Sequence, residues 1–169
     1  MASIIAVLSI LVVAGAFMWM QPSKRDKRLA KLRSGALTQG FLVGSVKLPD
    51  TTEHGRVNNR FEIQTIYQIA LKLEAQSQLE FTALRSTGES GIYLPDGWAW
   101  NKRSNVPESI YTALSTFLAG LPESVTALVV SKTAIGLVWD EKDPQLTLEQ
   151  IKSMLHSVAG LCDLEPHSS

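Results

Sequence analysis

Residues 3–20 read Ser-Ile-Ile-Ala-Val-Leu-Ser-Ile-Leu-Val-Val-Ala-Gly-Ala-Phe-Met-Trp-Met, and no charge interrupts them. As a helix, eighteen residues extend roughly 27 Å, enough to cross the hydrocarbon core of a bilayer. Nine of them are Ile, Val, Leu or Phe, together worth on the order of −3 to −5 kcal/mol on the insertion scale. Trp19 closes the run, where an indole favours the headgroup level. A cleaved secretory signal is the competing reading, since Ala14-Gly15-Ala16 has the small-x-small form of a cleavage site. Such a signal needs a positive segment before its apolar stretch. Here no Lys or Arg precedes the run, and six follow it within residues 24–33. The expectation is therefore an uncleaved transmembrane anchor over residues 1–21, with its N-terminus outside and the rest of the chain cytoplasmic.

Residues 22–40 carry those cations: Lys24, Arg25, Lys27, Arg28, Lys31 and Arg33, against the single acid Asp26. Leu29, Leu32, Ala36 and Leu37 recur at helical spacing and Gly40 follows as a stop, so the segment reads as a basic juxtamembrane helix. Residues 1–40 hold a net +5 and the remainder −5, although the whole chain is formally neutral. That division suits a surface-binding segment attached to a mildly acidic domain. Near anionic headgroups each Lys or Arg contributes about 1 kcal/mol. Trp19, Lys24, Arg25, Lys27, Arg28 and Lys31 are thus the expected membrane-surface contacts, and a pure topology signal is the alternative. No aromatics interleave with the cations, which argues against a nucleic-acid partner.

The stretch Met18-Trp-Met-Gln-Pro-Ser-Lys-Arg-Asp-Lys-Arg28, extended loosely to Gly35, resembles the small accessory subunit of the bacterial Sec translocon, the YajC family. The resemblance covers about a fifth of the chain and lies in topology and charge. It implies a single-pass protein of the bacterial inner (cytoplasmic) membrane, and the rest of the chain is longer than that family's soluble part.

Beyond Gly40 the pattern turns extended. Phe41–Leu48 reads as a strand, and Phe61, Ile63, Thr65, Tyr67, Ile69, Leu71 and Leu73 alternate with polar residues in the period of a half-buried one. Leu79, Phe81 and Ala83 give a shorter run, and Pro95-Asp96-Gly97 marks a turn before Trp98-Ala99-Trp100. Asn105-Val-Pro-Glu108 has the form of a capped helix start, and Thr147-Leu-Glu-Gln150 that of a capping box. Val125–Val130 and Ala134–Trp139 flank Ser131-Lys132-Thr133 as a hairpin. The expected fold is α+β: one N-terminal transmembrane helix, then a small two-layer domain over 41–162. About three strands, a helix, a hairpin and a helix would place two helices on one face of antiparallel strands. Residues 163–169 are expected to fray.

Chemistry-bearing motifs are scarce. One cysteine, Cys162, excludes an intramolecular disulfide and leaves a poor start for a zinc site. Asp140, Glu141 and Asp143 cluster without calcium-loop spacing and read as a solvated turn. His156 and Cys162 are separated by a helix stop, and no carboxylate pair stands out for acid–base work. Neither catalytic nor metal residues are assigned, and no cofactor is expected. Trp98 and Trp100 share one face of an extended segment and form the candidate partner surface. Two functions follow. The first is a non-catalytic accessory or scaffold protein binding a protein partner at the membrane. The second is a membrane-tethered enzyme or small-ligand sensor with a groove near Trp98 and Trp100.

Overall fold

The computed structural model describes residues 23–51, 55–56, 59–72 and 78–167. The chain divides into two compact units, residues 1–34 and 35–169. Helix α1 (Lys24–Thr38) runs from the first into the second. Its start is a reciprocal cap. The Ser23 N–H and Oγ–H donate to Asp26 Oδ2 at 3.1 and 2.8 Å, and the Asp26 N–H donates back to Ser23 Oγ at 3.1 Å. These bonds hold the Asp26 carboxyl below the usual carboxylate range. The helix ends on Gly40, whose φ of 84° reaches the left-handed region. Phe41 N–H then bonds to Ala36 O and Gly40 N–H to Leu37 O, at 3.0 and 3.1 Å. This is a Schellman closure, with Ala36 and Phe41 both buried.

The second unit is built on one antiparallel sheet in the order β1-β2-β6-β5-β3-β4. The strands are β1 (Leu42–Pro49), β2 (Phe61–Ala70), β3 (Glu80–Arg85), β4 (Trp98–Ser104), β5 (Val125–Val130) and β6 (Ala134–Trp139). Three sequential hairpins lie side by side, and the last in the sequence, β5–β6, occupies the centre. Composition accounts for this. Ala134–Trp139 is apolar throughout and every residue of β6 is buried, the mark of a strand covered on both faces. β4 carries Asn101, Lys102 and Arg103 exposed and suits an edge, where charge discourages further pairing.

A 3-10 turn (Glu108–Ile110) leads into α2 (Tyr111–Ala119), and α3 (Leu148–Leu161) follows β6. α3 packs on β6 and β2 and against α2, over the sheet face that bears Tyr67, Ile69 and Leu137. On the opposite face Leu48, Ile66, Leu84, Ala127 and Val138 form a second apolar cluster, flanked by Val46 and Val129.

The expected fold, a transmembrane helix followed by a small two-layer domain, needs correction. Among the described residues no helix is long and apolar enough to cross a membrane, and the anchor expected over 1–21 lies outside them, as does Trp19. The domain is larger in its sheet than expected. Trp98–Ser104 is a full strand, because six of its seven residues pair with β3, Asn101 being passed over at the register shift between Thr82 and Ala83. The Asn105 cap is not formed either. Asn105 sits at φ 54° and sends its Nδ2 to Gln78 O, while the first turn begins on Pro107 without a side-chain cap. The capping box at Thr147 and Gln150 is present in both directions. Within the tail expected to fray, residues 165–167 are tied to the end of β2, and residues 168–169 lie outside the described residues. Leu71 bridges Pro166, and His167 N–H donates to Ala70 O at 2.8 Å. Lys72 Nζ pairs with Glu165 at 2.8 Å.

Candidate functional site

The two tryptophans share one sheet face but have different surroundings. Trp98 lies opposite Arg85 in the register and is 1% exposed. The Arg85 guanidinium stacks 4.8 Å from its ring while donating to the carbonyls of Val125, Leu121 and Pro122 at 2.9–3.1 Å. Desolvation lowers the Arg85 pKa, with Glu123 acting in the opposite sense. Trp98 therefore belongs to the core, and its place in the candidate partner surface is corrected. The sequence signal missed was Arg85 itself, a cation directly across the ladder from an indole.

Trp100 is half-buried and anchors an aromatic cluster. Its ring meets Phe81 at 5.7 Å and Tyr111 at 6.3 Å, both edge-on. Its indole N–H donates to Ile92 O at 2.9 Å. Tyr93 stacks on Tyr111 with ring centroids 4.7 Å apart and planes 12° from parallel. Arg103 lies 5.8 Å from the rings of both Trp100 and Tyr111. Arg56 closes one side, donating to Trp100 O at 3.2 Å and pairing with Glu89 at 3.0 Å. The backbone at Tyr93 has φ 65°, an outlier for a bulky side chain. Ile92 and Tyr93 are 68% and 59% exposed, beside the aromatic cluster. Sequence reading overlooked Tyr93, Tyr111 and Arg103, which come from three separate segments.

The basic residues of α1 lie as a solvated set. Lys24, Arg25, Lys27, Arg28 and Lys31 are all exposed. The acidic turn after β6 is consumed locally. Asp140 Oδ1 accepts from Lys142 N and Asp143 Oδ1 from Gln145 N, at 3.0 and 2.8 Å. Glu141 Oε1 accepts from the buried Tyr67 hydroxyl at 2.6 Å. The neighbouring Ser124 hydroxyl and the Gln145 backbone N–H hold Asp143 below the usual carboxylate range. The three carboxylates thus point at three different partners. Burial pushes the Cys162 thiol up to about 11, assisted by Asp163, so it is a poor nucleophile near neutrality.

A concavity of about 460 Å³ lies between the end of α1, the start of β1, the end of β2 and α3. Phe41, Leu42, Ile69 and Pro166 line it together with Leu37, and its side-chain cations and imidazoles are Lys152, His156 and His167. Lys152 Nζ donates to Gln39 O at 2.8 Å.

Comparison with known proteins returns no match: no family model fits this chain, and neither a curated protein nor a solved structure is significantly similar to it.

Proposed function

We propose that this protein is a non-catalytic accessory subunit that binds a protein partner at the cytoplasmic face of a bacterial inner membrane. The exposure of Ile92 and Tyr93 carries the partner half of that reading. Two large side chains stand 68% and 59% exposed, the second on a backbone held in the left-handed region. Strained backbone persists where its surroundings over-determine it, and it concentrates at functional sites. Trp, Tyr and Arg also dominate the energetics of protein interfaces. Here Trp100, Tyr93, Tyr111 and Arg103 occupy one connected cluster. The membrane half draws on the sequence. An uncharged apolar run over 3–20 precedes five exposed cations of α1, each worth about 1 kcal/mol at an anionic surface. Binding is favoured over catalysis because the acidic turn is committed to its own backbone and to Tyr67, and Cys162 is desolvated.

The test places a photo-crosslinking residue at position 93 of the full chain in cells. One discrete adduct in the membrane fraction is expected, with the same residue at exposed position 149 as the control that yields none. Arg103→Glu should weaken the adduct about tenfold, the loss of one interface anchor. Absence of any adduct from position 93 refutes the partner half. Recovery of the chain solely in the soluble fraction refutes the membrane half.

A further inference from the structure

We infer that the concavity beside Phe41 and Ile69 is a binding site for a single-chain anionic amphiphile, a free fatty-acid carboxylate of about ten to twelve carbons. Three observations select this ligand. The floor is apolar, formed by buried Phe41 and Ile69, and the walls add Leu37 and Leu42, which are 59% and 50% exposed. Two exposed leucines facing one concavity are unfavourable in water and would be covered by an alkyl chain. The one formal side-chain charge in the lining is the Lys152 ammonium, beside the imidazoles of His156 and His167, and among the described residues no carboxylate lines the site. A cationic or zwitterionic headgroup would find no anionic side-chain partner among them, whereas a carboxylate would find an ammonium and two imidazoles.

Size then separates the sources. The volume of about 460 Å³ falls in the range of small-molecule sites, roughly 300–1,000 Å³. A methylene fills about as much space as a water molecule's share of the liquid, roughly 30 Å³. One chain of ten to twelve carbons therefore fits, and the two long chains of a phospholipid do not. Backbone bonds tie both walls. The Schellman closure holds Leu37 and Phe41, and the Leu71–Pro166 bridge holds the opposite wall. Lys152 already donates to Gln39 O, which orients its ammonium at the rim with further N–H bonds left to give. This site is independent of the aromatic cluster and of the partner reading.

The test uses the full chain in nanodiscs and a diazirine-bearing dodecanoate, with labelled peptides mapped by mass spectrometry. Labelling is expected at residues 37–42, 69–70, 152–156 and 166–167. Competition should strengthen from octanoate to decanoate to dodecanoate, about fourfold per methylene, the equivalent of about 0.8 kcal/mol each. Dodecyltrimethylammonium, of equal chain length and opposite charge, should compete at least tenfold less well. Lys152→Glu should abolish the difference between the two headgroups, and the milder Lys152→Gln should reduce it. Equal competition by both headgroups would overturn the proposal, as would labelling confined to residues 1–22. Competition by a short-chain phospholipid that matches dodecanoate would overturn the choice of a free carboxylate.

Discussion

Gly136→Ala gives the sharpest check on the packing of the sheet. Gly136 lies in the central strand β6, opposite Gln68 of β2 and Val129 of β5. A Cβ added there would stand 2.6 Å from Gln68 Cγ, 2.7 Å from Ile66 Cδ1 and 2.8 Å from Ile66 Cγ1. Ile66 is 3% exposed and sits in the cluster with Leu48, Leu84, Ala127 and Val138. It cannot swing away without disturbing four buried neighbours. Overpacking of this kind costs roughly 1–3 kcal/mol. Alanine recovers about 0.5–1 kcal/mol, because glycine loses more backbone freedom on folding. With two side chains inside 3 Å the middle of the overpacking range applies, about 2 kcal/mol, and less about 0.75 kcal/mol for the alanine the net loss is about 1–1.5 kcal/mol. With a urea slope of about 1.5 kcal/mol/M for a domain of this size, the midpoint should fall by about 0.7–1 M. Tryptophan fluorescence follows the transition, since Trp139 is three residues away on the same strand. Ile66→Val removes the Cδ1 atom and alone should cost about 0.5–1.5 kcal/mol. Introduced together with Gly136→Ala, it should cost at least about 0.5 kcal/mol less, as contacting residues couple. A neutral Gly136→Ala, or strict additivity of the two changes, would refute the packing argument.

Four further outcomes follow from single contacts. Thr147→Ala removes the reciprocal cap of α3 and should cost about 1 kcal/mol in urea unfolding, with Thr147→Ser close to wild type. Tyr67→Phe deletes the 2.6 Å bond to Glu141 and should cost about 1–2 kcal/mol, since Glu141 is half-buried and water can replace the lost donor. Cys162, with its thiol pushed up to about 11, should hold only about one thiolate in a hundred at pH 9. Iodoacetamide should therefore modify the native chain far more slowly than the urea-unfolded one, and the native rate should climb steadily as pH rises towards 11. Lys72 holds the Glu165 carboxyl below the usual range. A lowered folded-state pKa contributes stability that is present above the unfolded value and lost as pH falls through the folded one. The protection factors of the Lys72 and His167 amides, which bond Glu165 O and Ala70 O, should fall on acidification below about pH 4 once the intrinsic pH dependence of exchange is divided out, and Lys72→Met should remove that fall.

Local signals were the legible part of this protein. Helix α1 could be read from a leucine repeat and a terminal glycine, and α3 from its capping box. The hairpin Val125–Val130/Ala134–Trp139 could be read from two apolar runs around Ser131-Lys132-Thr133. Each depends on bonds between residues a few positions apart, so the sequence contains both partners of the interaction. The shared face of Trp98 and Trp100 was legible for the same reason, from the period of two along a strand. The fate of each indole was not. Arg85 seals Trp98, and Tyr111 with Tyr93 supports Trp100 at the surface, and those partners arrive from other hairpins and a helix.

The sequence by itself determined which stretches are apolar, which alternate and where the charge is concentrated, including the uncharged run over 3–20 and the cations after it. Tertiary structure alone decided that the last hairpin takes the centre of the sheet and that Trp98–Ser104 becomes its far edge. It also decided that residues 166–167 close against β2 to wall a concavity. The physical reason is that strand order and burial follow from which apolar faces satisfy one another across long separations, and pairings of that kind leave no periodic trace in the chain.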